Sequence, residues 1–311
     1  MAAPPDINLK ALVTNARSLQ PNTRRGYLAT VKRWLDFAGS DPAGWTAQQA
    51  QLFYEALLSD NLSIRSANNM VTGGLAYVFG RAHALYGIPD ITRAIDKAKD
   101  EEDDDSRRHA LSPAQGRALL AATTQHGTDL LALRDYAACI LGFYTGLRRE
   151  GLVALRLENI EVEPDVVFLK TVVKGGRSAD IPIAPYVWGY LHDYRQALGR
   201  TRGPLLPRVS QVSIKTDERD ASQPMTGDGL YKALVRVAQR AGAKFTPHIF
   251  RHTFTTWCRQ AKIEDYLIEV VTAHRSNRGL VDRVYTDRRA MSADVAARCA
   301  AAVDAKLFPK D

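Results

Sequence analysis

The segment Leu130 to Tyr144 is apolar on almost every side of a helical projection, broken only by Arg134 and Asp135. A helix of that kind is stable only when other elements wrap it, so the chain around it has to fold as a domain with this segment at its centre. Thr145-Gly146-Leu147-Arg148 follows at once. Glycine suits the left-handed residue that ends a helix, and such a turn would fix Arg148 at the start of the next apolar stretch. That stretch, through Leu152, Leu155 and Ile160, reads as a helix. Both a surface cap and a held, functional guanidinium fit Arg148 at that position.

The other elements fall in order on either side. Residues 1–20 read as a short N-terminal arm and residues 21–99 as a small helical domain. Its first helix opens at Pro21-Asn22-Thr23 and carries Tyr27, Val31, Trp34, Leu35 and Ala38 at helical spacing. A second helix starts near Thr46, and a third runs from Ser63 toward Tyr86, where Gly87-Ile88-Pro89 stops it. Arg24, Arg25 and Lys32 lie on outer faces of the first helix; contact with a polyanion and plain solvation are both open for each. Residues 100–110 include six consecutive acids, Asp100 to Asp105, and read as an extended linker because nothing there can be buried.

Residues 111–290 read as the larger domain. Val166–Val173 and Ala179–Ile183 are β-rich runs around Lys174-Gly175-Gly176-Arg177, a hairpin signal that puts Lys174 and Arg177 at its tip. A helix from about Pro185 to Leu198, a polar loop and an amphipathic helix capped by Thr226 come next. Residues 291–311 form an Ala-rich helix with Val295, Cys299, Val303 and Leu307 on one stripe, which fits packing on its own domain or docking on a neighbouring subunit. The fold class expected is mainly α, with a small antiparallel sheet confined to a mixed α+β second domain.

The chain has 311 residues, which suits two domains, and a formal charge of +8. The acidic run supplies six of the 34 acids, so the rest of the chain is more basic still, a balance that favours a polyanionic partner. Cys139, Cys258 and Cys299 are odd in number and far apart, which reads as buried free thiols in a reducing compartment. No stretch reaches 18 apolar residues and no basic segment followed by an apolar run opens the chain, so a cytoplasmic protein without a membrane span is expected.

His248 and Arg251 are three residues apart on a helical stretch and share a face. If His274 and Tyr285 fold back onto that face, one pocket holds a guanidinium, two imidazoles and a phenol. Arginine binds non-bridging phosphate oxygens bidentately, imidazole donates hydrogen bonds or moves protons, and a phenolate attacks phosphorus. Such a set suits a phosphodiester and needs no metal or cofactor.

Thr145-Gly146-Leu147-Arg148, Lys174-Gly175-Gly176 before Ile181-Pro182-Ile183, His248-Ile249-Phe250-Arg251-His252-Thr253, Ala273-His274 and Tyr285-Thr286 occur in the order of the tyrosine recombinases, the phage integrase family. Each motif alone is weak; the ordered set resembles that family strongly over residues 145–286. The helical domain resembles the family's core-binding domain in layout only.

The resemblance implies that Arg148 and Arg251 bind the scissile phosphate, with His248 and His274 as further contacts to it. Lys174 would protonate the leaving 5′ oxygen, and Tyr285 would be the nucleophile of a 3′-phosphotyrosyl intermediate. It also implies a double-stranded DNA partner clamped between the two domains at a specific site, and a monomer or dimer that assembles to a homotetramer. Arg24, Arg25, Lys32, Arg177 and Arg275 are candidate DNA contacts. Two features depart from the family pattern. Gly151 stands where an acid usually follows the first arginine by three, with Glu150 one position early, and eleven residues rather than nine separate His274 from Tyr285. A site-specific recombinase is the reading; a type IB topoisomerase-like relaxing enzyme and an inactive DNA-binding protein on the same scaffold are the alternatives.

Overall fold

Helix-forming runs with strong N-caps dictate most of the architecture. In a computed structural model the described residues are 7–100, 110–124, 129–173, 176–208, 223–246, 248–273 and 288–309, with the side chains of 173, 177 and 288–290 excepted. Lys174, His274, Arg275, Tyr285 and most of the acidic linker lie outside them, as does the side chain of Arg177. The chain divides into two compact units, Met1–Asp103 and Asp104–Asp311.

The first unit is helical. α1 (Leu9–Thr14) is a correction to the reading of residues 1–20 as an arm: Asn8 caps it through Ala11 N, and Leu9, Leu12 and Val13 are buried. α2 (Pro21–Ala38) ends at Gly39. α3 (Ala47–Ser59) is capped by the Thr46 hydroxyl, which accepts from Gln49 N at 3.1 Å. The long third helix of the sequence reading is split into α4 (Ile64–Asn69), a π-helical segment Met70–Leu75 and α5 (Ala76–Tyr86). That segment contains Gly73-Gly74, where α2 comes so close that a Cβ on Gly74 would stand 2.7 Å from the Thr30 hydroxyl. Trp34 is fully buried and meets Phe53 and Phe79 edge-on at 5.3 and 5.6 Å, which centres the core of this unit.

In the second unit α6 (Pro113–Thr124) packs on α7 (Leu130–Thr145), which is buried along nearly its whole length as its composition requires. α8 (Arg149–Val153) is shorter than expected. The chain then turns through Leu157–Asn159 into β1 (Ile160–Val162), an edge strand where a helix was predicted. The β-branched pair Ile160 and Val162 flanking Glu161 fits a strand better than a helix. β2 (Val167–Val173) and β3 (Arg177–Ile183) pair antiparallel from Val167↔Ile183 to Val173↔Arg177, so the predicted hairpin is present in a sheet of order β1-β2-β3.

The expected helix after Pro185 is two: α9 (Pro185–Gly189) and α10 (His192–Leu198). α11 (Gly227–Arg240), α12 (Ile249–Gln260), α13 (Asp265–Thr272) and α14 (Arg288–Leu307) complete the unit. α14 packs within its own unit against α6, α7, α12, α13 and β3. It buries Val295, Cys299, Val303 and Leu307 there.

α7 and α12 approach each other closely. A Cβ on Gly142 would stand 2.4 Å from the Phe250 ring, and Phe143 lies edge-on to Phe250 at 4.9 Å while stacking on Trp257 at 5.6 Å. Overpacking a site of this kind costs about 1–3 kcal/mol or more. Gly142→Ala is therefore expected to lower the unfolding free energy from denaturant titration by that order. Gly80→Ala, in α5 with nothing near its would-be Cβ, is expected to raise stability by about 0.5–1 kcal/mol. Equal effects would contradict the packing account.

Candidate active site

α7 delivers Arg148 to its place. Its last residue, Thr145, donates its hydroxyl to Leu141 O at 2.5 Å and accepts from Leu147 N at 3.1 Å. Gly146 takes the left-handed conformation (φ 56°, ψ 19°) and closes the helix through Gly142 O. Leu147 is buried, so the half-buried Arg148 emerges as the N-cap of α8. Thr171, toward the turn end of β2, donates to Gly151 O at 2.7 Å from a buried position, tying the hairpin to α8.

α12 carries the second group. Ile249, Phe250, Thr253, Phe254, Trp257 and Cys258 are its buried face, and the Thr253 hydroxyl accepts from Leu111 N at 2.9 Å. His248, Arg251 and His252 occupy the side left over, with the two imidazoles 6.4 Å apart. The half-buried Arg251 donates Nη1 to Thr272 O at 2.9 Å and to Gly146 O at 3.4 Å. These carbonyls close α13 and α7 respectively. A helix C-terminus carries partial negative charge and unsatisfied carbonyls, so a single guanidinium holds two helix ends together.

Electrostatics brings Arg148, His248 and Arg251 into one site. Burial, then Arg148, lowers the Arg251 pKa to about 10, partly offset by Glu269, so it stays charged at neutral pH. Desolvation is also the largest cause of a lowered pKa at His248, followed by Arg148, His252 and Arg251, against a smaller opposing effect of Glu150. The ring keeps much surface in solvent, and at neutral pH it is an uncharged imidazole able to accept a proton. After Thr272 the chain passes through Ala273 in left-handed geometry (φ 48°, ψ 37°), costing an L-residue roughly 1–2 kcal/mol. His274 follows outside the described residues.

Of the other candidates, Arg24 donates Nη2 to Ala16 O at 2.8 Å and Leu19 O at 3.4 Å, Arg25 is exposed, and the exposed Lys32 pairs with Asp36 at 2.7 Å. Tyr144 is buried and donates to Asp304, which with burial raises its pKa far above a free phenol's. The sequence reading missed Thr272 and Glu269 of α13, since the group each acts on, Arg251, lies on a different helix. It also missed Arg149, which bridges Glu150 at 2.8 Å and Asp228 at 3.0 Å.

His248 supplies a titration test. Its folded pKa lies below the usual 6.5, so below that pH the unfolded chain protonates first and stability is lost as pH falls. In an NMR titration His248 is expected to show a midpoint below 6.5 that rises in Arg148→Gln. A midpoint at or above 6.5 in the unsubstituted protein would contradict the convergence of charges.

Known proteins resemble this chain in sequence and in fold. Tyrosine recombinase XerA of Thermococcus kodakarensis is 24% identical over 259 residues, covering 82% of this chain and 81% of the relative. Tyrosine recombinase XerD of Vibrio cholerae is 29% identical over 167 residues, 53% of this chain and 52% of the relative. In fold, the chain resembles a lambda integrase dimer bound to a COC' core site, with TM-score 0.65 and 17% identity over 90% of this chain and 96% of that one. XerH recombinase bound to a palindromic difH substrate gives TM-score 0.65 and 14% identity over 86% of this chain and 77% of that one. No helix among the described residues is long and apolar enough to cross a membrane. Residues 109–291, which contain Arg148, His248 and Arg251, match the phage integrase family: the chain belongs to that family.

Proposed function

We propose that this chain is a site-specific DNA recombinase that cuts and rejoins duplex DNA through a 3′-phosphotyrosyl intermediate, with Tyr285 as the nucleophile. The observation that carries the reading is the convergence of Arg148 and Arg251 with the neutral His248 at the joined ends of α7 and α13. Two guanidiniums bind the non-bridging oxygens and offset the charge that grows as phosphorus becomes pentacoordinate. His248 accepts a proton as the phenol attacks; a free phenol has a pKa of about 10 and needs both a base and the surrounding positive charge.

As Tyr285 Oη bonds to phosphorus, the bond to the 5′ oxygen breaks and Lys174, which follows β2 in the sequence, gives that oxygen a proton. His274 adds a hydrogen bond to the phosphate. The phosphotyrosine keeps the bond energy, so a 5′ hydroxyl from a second strand reverses the step without ATP or metal. Arg25, Lys32, Arg177 and Arg275 are read as DNA contacts, and Arg24 as a group that also holds the α1–α2 turn. The relatives named as recombinases, and the DNA complexes among the structural neighbours, support a specific duplex site as partner. A lambda integrase tetramer on a Holliday junction supports a synaptic tetramer. The work is read as cytoplasmic.

Purified protein mixed with fragmented DNA and quenched in denaturant is expected to leave covalent adducts at a few sequences, and Tyr285→Phe to bind DNA without any. Adducts that persist in Tyr285→Phe would mean another nucleophile, and adducts scattered without sequence preference would mean a topoisomerase-like enzyme. Lys174→Ala is expected to cleave slowly on ordinary DNA and to be rescued on a 5′-bridging phosphorothioate, whose thiolate leaves unprotonated. An unrescued defect would remove Lys174 as the acid.

A further inference from the structure

The acid three residues after the first arginine in the family pattern is Gly151 here, and no α8 side chain replaces it at Arg251. Gly151 O accepts the Thr171 hydroxyl, and a Cβ at this position would first meet the Leu147 side chain, at 3.3 Å. Glu150 faces α11: its Oε1 accepts from Arg149 Nε at 2.8 Å and lies 3.1 Å from a would-be Cβ on Gly227. Yet Arg251 is half-buried beside a second guanidinium, a placement that like-charge repulsion and desolvation both oppose.

Counter-charge is available from α13. Arg251 Nη1 rests on Thr272 O at 2.9 Å, and the half-buried Glu269 stands three residues earlier on that helix. Glu269 thus stands in the last turn of the helix whose C-terminal carbonyl seats Arg251. Among the described residues Glu269 is the acid whose charge acts on Arg251, against burial and Arg148.

We infer that Glu269 is a positioning residue of this site, whose carboxylate balances the Arg148–Arg251 pair and keeps Arg251 seated on the two helix ends until a phosphate arrives. Its effect on catalysis rests on the recombinase reading; its coupling to Arg251 does not. Removing the charge has opposed effects on the two halves of the reaction. One fewer acid near the DNA backbone leaves ground-state binding equal or tighter, while a less ordered guanidinium stabilises the transition state less. A residue of purely architectural importance would weaken both.

Thermal midpoints of the full chain, Glu269→Gln, Arg251→Met and the double variant test the coupling without DNA. Glu269→Gln is expected to lower the midpoint by about 2–4 °C, and to do so by less than half as much, or not at all, once Arg251 is Met. An equal drop in both backgrounds overturns the inference. On a nicked substrate carrying the site recovered from the adducts, Glu269→Gln is expected to form adduct about tenfold more slowly at unchanged or tighter binding, with Glu269→Asp intermediate. An unchanged rate overturns it as well. If the unsubstituted protein forms no Tyr285-dependent adduct, the recombinase reading falls and the thermal cycle alone decides Glu269.

Discussion

Arg251 joins parts of the second unit that are distant in sequence. Its Nη1 sits on carbonyls that close α7 and α13, 105 and 21 residues away along the chain. α7 leads directly to Arg148, and α13 leads directly to Ala273-His274. The guanidinium is held in place because two helix C-termini attract it, and those termini are held by the guanidinium in turn. The α7–α12 contact, with Phe250 over Gly142 and Phe143 against Trp257, supplies the rigidity on which this depends. Arg251 lies one residue from Phe250, so the packing and the chemistry share a single helical turn.

The same arrangement explains the charge state of the site. Desolvation and the two arginines favour neutral His248, while Arg251 remains a cation at neutral pH. An imidazole and two guanidiniums thus act on one another although Arg148 lies a hundred residues before His248. Burial alone would make such a cluster unfavourable; helix-end carbonyls and Glu269 offset the repulsion on Arg251. Because the offsetting groups lie on α7 and α13 rather than α8, Gly151 need not leave Arg251 without a counter-charge.

Much of this was legible from residue patterns, for identifiable reasons. The all-round apolar run Leu130 to Tyr144 leaves a helix no alternative to burial, and Gly146 ends it as its conformational freedom suggests. Caps at Thr46, Ser63 and Thr226 marked helix starts, and the β-branched runs on either side of Lys174-Gly175-Gly176-Arg177 marked the hairpin. What was not legible depended on tertiary contact. α1 forms because Leu9, Leu12 and Val13 find a core, and the π segment at Met70–Leu75 lies where α2 crosses. β1 exists because β2 offers it an edge. Glu269 had no local signal, since its partner Arg251 lies on a different helix.

The most direct test of Arg251 as the joint between helix ends and phosphate is Arg251→Lys, which keeps the charge and loses the planar fork. With DNA affinity and cleavage measured on the same substrate, cleavage is predicted to fall by about a hundredfold or more while affinity changes little. Cleavage near the unsubstituted rate would contradict the account, because a single ammonium cannot reproduce the planar guanidinium that bridges two helix ends and binds a phosphate.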